Sequence, residues 1–282
     1  MASVLGTNVA SLWASKNLQS AQSNMANSVE RLSSGLRINR ARDDAAGLGL
    51  SNALTQQINA SEQGIRNLND GISVVQTAEG AISAASEMAQ RILTLAVQAT
   101  NGTLSTTQKT SIQKEMVSLI AGINNIETRT KFSGTTLLAS TAINIYNGKE
   151  TADTIAITAS ALATIGSGTG GSAVTLSGWI TTAATSSTAE YYQSVASFAS
   201  TYITALDTQR GLLGALQNQM EYSVSNITEL SANLTSARSR VVDTDYASET
   251  ANLTKGQILQ QAATAMLAQA NQMPNVILSL LK

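Results

Sequence analysis

Cysteine and histidine are absent from this chain of 282 residues, and proline occurs once, as Pro274. That removes thiolate nucleophiles, disulfides, imidazole metal ligands and the usual general base. An enzyme built here would rest on Asp, Glu, Lys, Ser or Tyr alone. Charged residues make up only 12% and aromatics 4%, and the formal net charge is −1. Such a balance gives no general pull toward nucleic acid, which needs clustered Lys and Arg with aromatics between them. The first residues, MASVLGTNVASLWASK, lack the basic n-region of a secretory signal peptide. No window approaches the roughly 18 apolar residues of a membrane span, so membrane insertion is not expected. A chain this poor in proline can stay helical over long stretches.

What is abundant is heptad spacing. Leu68, Val75, Ile82, Ala89 and Ala96 recur every seven positions, with Ile58, Ile65 and Ile72 as a second seam. Ile112, Met116, Leu119, Ile123 and Ile126 follow a 4-3-4-3 spacing, and Leu206, Leu213, Met220, Ile227, Leu234 and Val241 again stand seven apart. This pattern predicts helices packed lengthwise. A helix over residues 44–100 would be about 85 Å long, against a diameter of about 50 Å for a compact globule of this size. The expected fold is therefore mainly α, an elongated antiparallel helical bundle or coiled coil.

The middle breaks this pattern. Ile143 to Tyr146 and Thr154 to Thr158 alternate in polarity, with Asn147-Gly148 between them as a turn signal, which predicts a β-hairpin at the tip. Residues 159–189 are small, Gly/Ser/Thr-rich and uncharged, and read as a short exposed loop before helix resumes near Glu190.

The two ends resemble each other. Residues 1–29 carry one charge, Lys16, and residues 250–282 carry two, Lys255 and Lys282. Both are amphipathic, through Leu18, Ala21, Met25, Val29, Leu32 and Leu36 at one end. Leu259, Ala262, Met266, Ala270, Met273, Ile277 and Leu280 do the same at the other. A solvated helix normally has a charged outer face; these outer faces are Gln, Asn and Ser. The shared peculiarity predicts that both ends are buried among copies of the same chain.

Each end joins the centre through a charged link. The N-side link holds Arg31, Arg37, Arg40, Arg42, Asp43 and Asp44; the C-side link, to Glu249, holds Arg238, Arg240, Asp243, Asp245 and Glu249. Gly35 is placed to end a helix, and Asp43 or Asp44 to start one. A catalytic pair at Asp43 and Asp44 is disfavoured, because adjacent helical residues point about 100° apart. Gly47-Leu48-Gly49 lacks the preceding strand of a dinucleotide fingerprint, and acidic neighbours offset three of the four N-side arginines. The links are expected to be joints where ion pairs, within or between subunits, set registry. A secreted binding module is a further alternative.

Several long motifs together resemble bacterial flagellin. "LSSGLRINRARDDAAGLGLS", "NLNDGISVVQTAEGAI", "LAVQATNGT" and "KFSGTTLL" are similar to the N-terminal half of that family, "ARSRVVDTDYASE" and "ILQQAATAMLAQANQMPNVILSLL" to its C-terminal end. The resemblance implies a structural subunit that polymerises with itself into the helical flagellar filament for swimming, in a short form with a reduced middle. It implies no enzyme and no cofactor. It also implies export through the flagellum's own type III secretion channel to the extracellular flagellum. The partners it implies are that export apparatus, a flagellin chaperone at the C-terminal helix, and hook-associated and cap proteins. A host toll-like receptor is implied too, through positions matching Arg91, Leu95 and Glu115. A hook–filament junction protein shares the terminal motifs and is the nearest alternative.

The expected organisation is then an N-terminal helix and link at 1–42 pairing with 243–282 as an inner tube. Two parts of a rod domain follow at 43–139 and 190–242, with the hairpin and loop at 140–189.

Overall fold

The structure is a computed structural model that describes residues 8–138, 142–148, 153–158 and 188–280, with side chains as far as Gln272. Among these are five helices, α1 (Val9–Ser34), α2 (Ala45–Ala99), α3 (Thr106–Arg129), α4 (Ala189–Val242) and α5 (Tyr246–Leu280). Four short strands lie between α3 and α4: β1 (Lys131–Phe132), β2 (Thr135–Thr136), β3 (Ile143–Tyr146) and β4 (Thr154–Ile157). The mainly α class is as the heptads predict. Residues 159–187 of the expected loop, and the side chains of Met273, Ile277 and Leu280, lie outside the described residues.

The chain forms two compact units. One is drawn from residues up to Ile58 and from Ala232 onward, the other from Asn59–Ser231. The division falls inside α2 and α4, not at the charged links where the expected boundaries lie.

The 59–231 unit is organised around one apolar core, and its seams are the heptads. Leu68, Val75, Ile82 and Ala96 are fully buried, as are Leu206, Leu213 and Met220. α2 runs antiparallel to α3, since Arg91 meets Glu115 and Gly122 meets Met88. It also runs antiparallel to α4, where Glu79 meets Arg210 and Gly71 meets Met220. Ser105 starts α3 with a capping box, its hydroxyl accepting from Gln108 N–H while the Gln108 side chain accepts from Ser105 N–H. The large aromatics Tyr192 and Tyr202 complete the core. Burial raises the pKa of both, most strongly for Tyr202, where the nearby Glu127 adds to the effect.

β3 and β4 pair antiparallel, with Ile143 opposite Ile157 and Ile145 opposite Ile155, so the isoleucines share one face. They turn that face to the helices, where Ile155 and Ile157 are buried. The strands fall where the alternation predicts, and Asn147 N–H donates to the Asp153 carbonyl at 3.0 Å across the ends of their connection. One feature differs from expectation: the hairpin lies against the flank of α2, near Gly64 and Gly71, not beyond the helix ends. The reason is local chain direction. α3 carries the chain back along α2, and β1–β2 reverses it at Ser133 and Gly134, both with positive φ, as a tight two-residue turn.

Gly64 makes room for this arrangement, because a Cβ there would collide with the Asn147 carbonyl, while the Asn67 side-chain amide donates to the Tyr146 carbonyl at 2.9 Å. Gly80 in the same helix has open space around it. Gly64→Ala should therefore destabilise the unit by about 1–3 kcal/mol through forced repacking. Gly80→Ala should stabilise it by about 0.5–1 kcal/mol through helix propensity alone. Thermal melts of the two variants check this, and equal signs would contradict it.

In the other unit, α1 and α5 pair antiparallel along a seam of small residues. Ala14, Ala21 and Ser28 face Gly256, Ala263 and Ala270, each set spaced by seven. The Asn8 side-chain amide donates to the Ala270 carbonyl at 2.7 Å, and Ser11 Oγ to Asn271 Oδ1 at 3.0 Å. Asn8 also caps α1 by accepting from Ser11 N–H.

Candidate functional site

The α1–α5 seam takes up its small residues and the half-buried Leu18, Met25 and Leu32, and other large apolar side chains are left on the outside. Leu12 is 69% exposed, Trp13 58%, Ile258 60% and Met266 65%. Between the two helices runs a cleft of about 580 Å³ lined by Trp13, Ala14, Leu259, Ala262 and Met266 among others. Neighbouring apolar residues exposed on both helices are the signature of a surface that another protein covers. At its rim Lys16 Nζ lies 5.3 Å from the Trp13 ring centroid. Of the apolar residues that mark the amphipathic ends in sequence, Leu18, Ala21, Met25 and Leu32 line the seam, while Val29, Leu259 and Met266 are exposed. The heptad of Ala, Ser and Gly within the seam carries little hydropathy signal.

The charged links lie in the same unit. α1 ends at Gly35, which takes the left-handed conformation at φ 73° while its N–H donates to the Arg31 carbonyl at 2.8 Å. The chain then meets the start of α5's link as a short antiparallel bridge. Arg37 N–H donates to the Val242 carbonyl at 2.6 Å, and Thr244 N–H to the Gly35 carbonyl at 3.0 Å. The Arg37 guanidinium donates to the Val241 carbonyl at 2.6 Å. Ile38 is buried beside Gly47, where any Cβ would collide with it and with the Asp44 carboxylate.

The two predicted caps divide their work. Asp44 Oδ1 accepts from Gly47 N–H at 2.8 Å and so starts α2. Asp43 accepts from Arg40 N–H at 3.0 Å and from Asn39 N–H at 3.3 Å, which closes the link into a turn. Asp245 starts α5 by accepting from Ala247 and Ser248 N–H. Arg40 pairs with Glu30 at 2.8 Å, and Arg31 reaches the buried Glu249 on α5 at 3.7 Å. Arg238 donates to Thr55 and Arg240 to Ser236. Arg42 has only the weak contact to Asp43 at 3.6 Å and is 63% exposed. Among the described residues, no ion pair joins Arg37, Arg40 or Arg42 to Asp243 or Asp245. The two links are joined by main-chain hydrogen bonds together with the Arg31–Glu249 pair and the Arg37 side chain; the main-chain part leaves no side-chain signature in a sequence.

Hydrogen bonds from backbone N–H groups, first that of Arg40, hold the Asp43 carboxyl below its ordinary pKa of 3.8. With a depressed folded pKa, its contribution is present above pH 3.8 and is lost as pH falls through the lowered value. An NMR titration of the Asp43 carboxyl should show a midpoint below 3.8, and a midpoint at or above it would refute its role in the link turn.

In the 59–231 unit, Arg91 Nε and Nη2 both donate to Glu115 Oε1, at 3.0 and 2.8 Å, on an exposed face. Leu95, one turn along, is buried at 2% exposure in the core. Among the described residues no cluster of carboxylates could hold a metal ion, and no helix is long and apolar enough to cross a membrane.

Residues 5–142 match the family described as the bacterial flagellin N-terminal helical region, and residues 197–281 its C-terminal helical region. Flagellin B of Vibrio cholerae is 33% identical, aligned over all of both chains across 375 positions. The flagellar filament 33 kDa core protein of Treponema phagedenis is 35% identical over 99% of this chain and 100% of its own. Among solved structures, a putative flagellar hook-associated protein from Vibrio parahaemolyticus matches 71% of this chain and 100% of its own at 14% identity, with a TM-score of 0.59. That likeness is one of fold.

Proposed function

The chain belongs to the bacterial flagellin family, and from that premise we propose that its paired terminal helices are the surface through which copies stack into a filament. The protein is a structural subunit of the flagellar filament, not an enzyme, and it assembles with itself. The observation that carries the reading is the division of labour on α1 and α5. Their small residues serve their own pairing, and Leu12, Trp13, Ile258 and Met266 remain outside it. A heterologous contact that does not close on itself generates an open helical polymer. Burying these side chains between copies removes apolar surface from water at roughly 25 cal/mol per Å².

In this reading the 1–42 and 243–282 segments form the inner layer of the filament and the 43–139 and 190–242 helices the layer around it. The links are joints between the layers. Arg42, exposed and poorly paired within the subunit, is the link residue best placed to reach a neighbouring copy. The same reading has the chain delivered by the flagellar export apparatus to the extracellular flagellum, with a chaperone covering α5 beforehand and hook-associated and cap proteins bounding the polymer. For a host toll-like receptor it leaves Arg91 and Glu115 as surface contacts, with Leu95 supporting them from beneath.

Electron microscopy of purified protein seeded with filament fragments tests the central claim. Long tubes are expected. Persistent monomers after seeding would overturn it.

A further inference from the structure

We propose that Asn101 is a site of spontaneous deamidation and isoaspartate formation, a chemical age mark that the fold permits there and suppresses at the chain's other described Asn-Gly pair, Asn147-Gly148. The reaction needs the backbone nitrogen of the following residue to reach the asparagine Cγ. It goes fastest before glycine, which adds no Cβ to obstruct the approach and leaves the backbone free to turn.

Asn101 and Gly102 sit in the exposed turn between α2 and α3. The Asn101 Oδ1 accepts from Thr103 N–H at 3.1 Å, which folds the carboxamide back over the Asn101–Gly102 peptide and polarises its carbonyl. Among the described residues the Gly102 N–H has no hydrogen-bond partner, and a Cβ on Gly102 would have nothing within 4 Å. The nucleophile is free, the Asn101 carboxamide is held over the turn by Thr103 N–H, and the ring has room to close.

Asn147 is the contrast within the same chain. Its N–H is tied to the Asp153 carbonyl at 3.0 Å, its carbonyl is seated against Gly64, and its Oδ1 is shut away from solvent. The Asp153 carboxylate lies where a Cβ of Gly148 would stand, and a negative charge there opposes loss of the Gly148 amide proton.

At Asn101 the Gly102 nitrogen loses its proton to hydroxide and attacks Cγ, forming a new C–N bond. The Cγ–Nδ2 bond breaks and ammonia leaves, giving a five-membered succinimide. Water then adds to one of the two ring carbonyls, and the ring opens to aspartate or to isoaspartate. The net change is water in and ammonia out, with no oxidation. Either product adds a negative charge just past the C-terminus of α2, the end where the helix dipole disfavours anions. The iso form also inserts a methylene into the main chain between α2 and α3.

The test follows the purified full-length protein at mildly alkaline pH by peptide mapping, with isoaspartate detected by an isoaspartyl-directed carboxyl methyltransferase. In the folded chain, conversion at Asn101 should exceed that at Asn147 at least about tenfold, since reaction at Asn147 requires local opening. In urea the two rates should converge, because both are then plain Asn-Gly dipeptides. Gly102→Ala, which the open space and ordinary φ at that position allow to fold, should slow conversion at Asn101 roughly tenfold. Equal rates at the two sites in the folded protein would overturn the proposal. So would an unchanged rate in G102A.

Discussion

Removal of residues 1–34 should abolish seeded polymerisation while leaving the 59–231 unit folded. The deletion takes away the whole of α1, so α5 loses Ala14, Ala21 and Ser28 from its seam and the cleft beside Met266 loses one wall. An isolated helix in water is marginal without tertiary packing, so α5 alone cannot present an ordered surface to another copy. The core around Leu68, Ile82, Leu206 and Leu213 contains no residue of α1 and should keep its cooperative melt. Sedimentation reads the polymer and far-UV circular dichroism reads the core; growth of full-length filaments by the truncated chain would sink the proposal. A point variant separates docking from loss of the tail. Met266→Lys replaces a side chain that is 65% exposed, so the α1–α5 pair should survive while polymerisation falls. Intact polymerisation in that variant would remove the exposed apolar face from the mechanism.

The second large effect concerns stability. Leu206 is fully buried at the start of the long heptad on α4, so Leu206→Ala should cost about 2–5 kcal/mol, the range for a large core residue cut to alanine. Leu234 belongs to the same heptad but lies in the other unit and is only half-buried. Leu234→Ala should cost less than half as much. Chemical denaturation of the two variants compares them directly, and similar losses would mean that heptad position, not burial, sets the cost.

The contrast between Leu206 and Leu234 shows what the sequence could and could not convey. Spacing by seven identified the buried line from Leu68 to Ala96 and from Leu206 to Ile227, because large apolar residues at that period have one face to offer. It could not show where along α4 the line stops being covered. Gly35 and Asp44 were legible as helix stop and start, since each chemistry suits one backbone need. The α1–α5 seam was not legible: alanine, serine and glycine sit on seams and surfaces alike, and only their close pairing in space separates the two. The links were half legible. Their charges suggested ion pairs, and Arg31–Glu249 and Arg40–Glu30 are such pairs, but the bridge between Leu36 and Asp243 is made by main chain, which every residue possesses. Asn147-Gly148 and the alternation on either side announced the hairpin but not its seat on α2, because the Asn147 carbonyl is held against Gly64, a contact between residues far apart in the chain.

The two links differ in length. Residues 35–44 separate α1 from α2, but only residues 243–245 separate α4 from α5. Three residues fixed by the Asp245 cap and the Thr244 hydrogen bond permit little besides rotation about a single corner. The longer N-side segment is folded up by its own Asp43 turn and seated by the buried Ile38. A change in the tilt of the terminal helix pair would swivel on the C-side corner, and the N-side segment would follow by opening the Asp43 turn. Loss of that turn should widen the range of tilts while Ile38 stays buried.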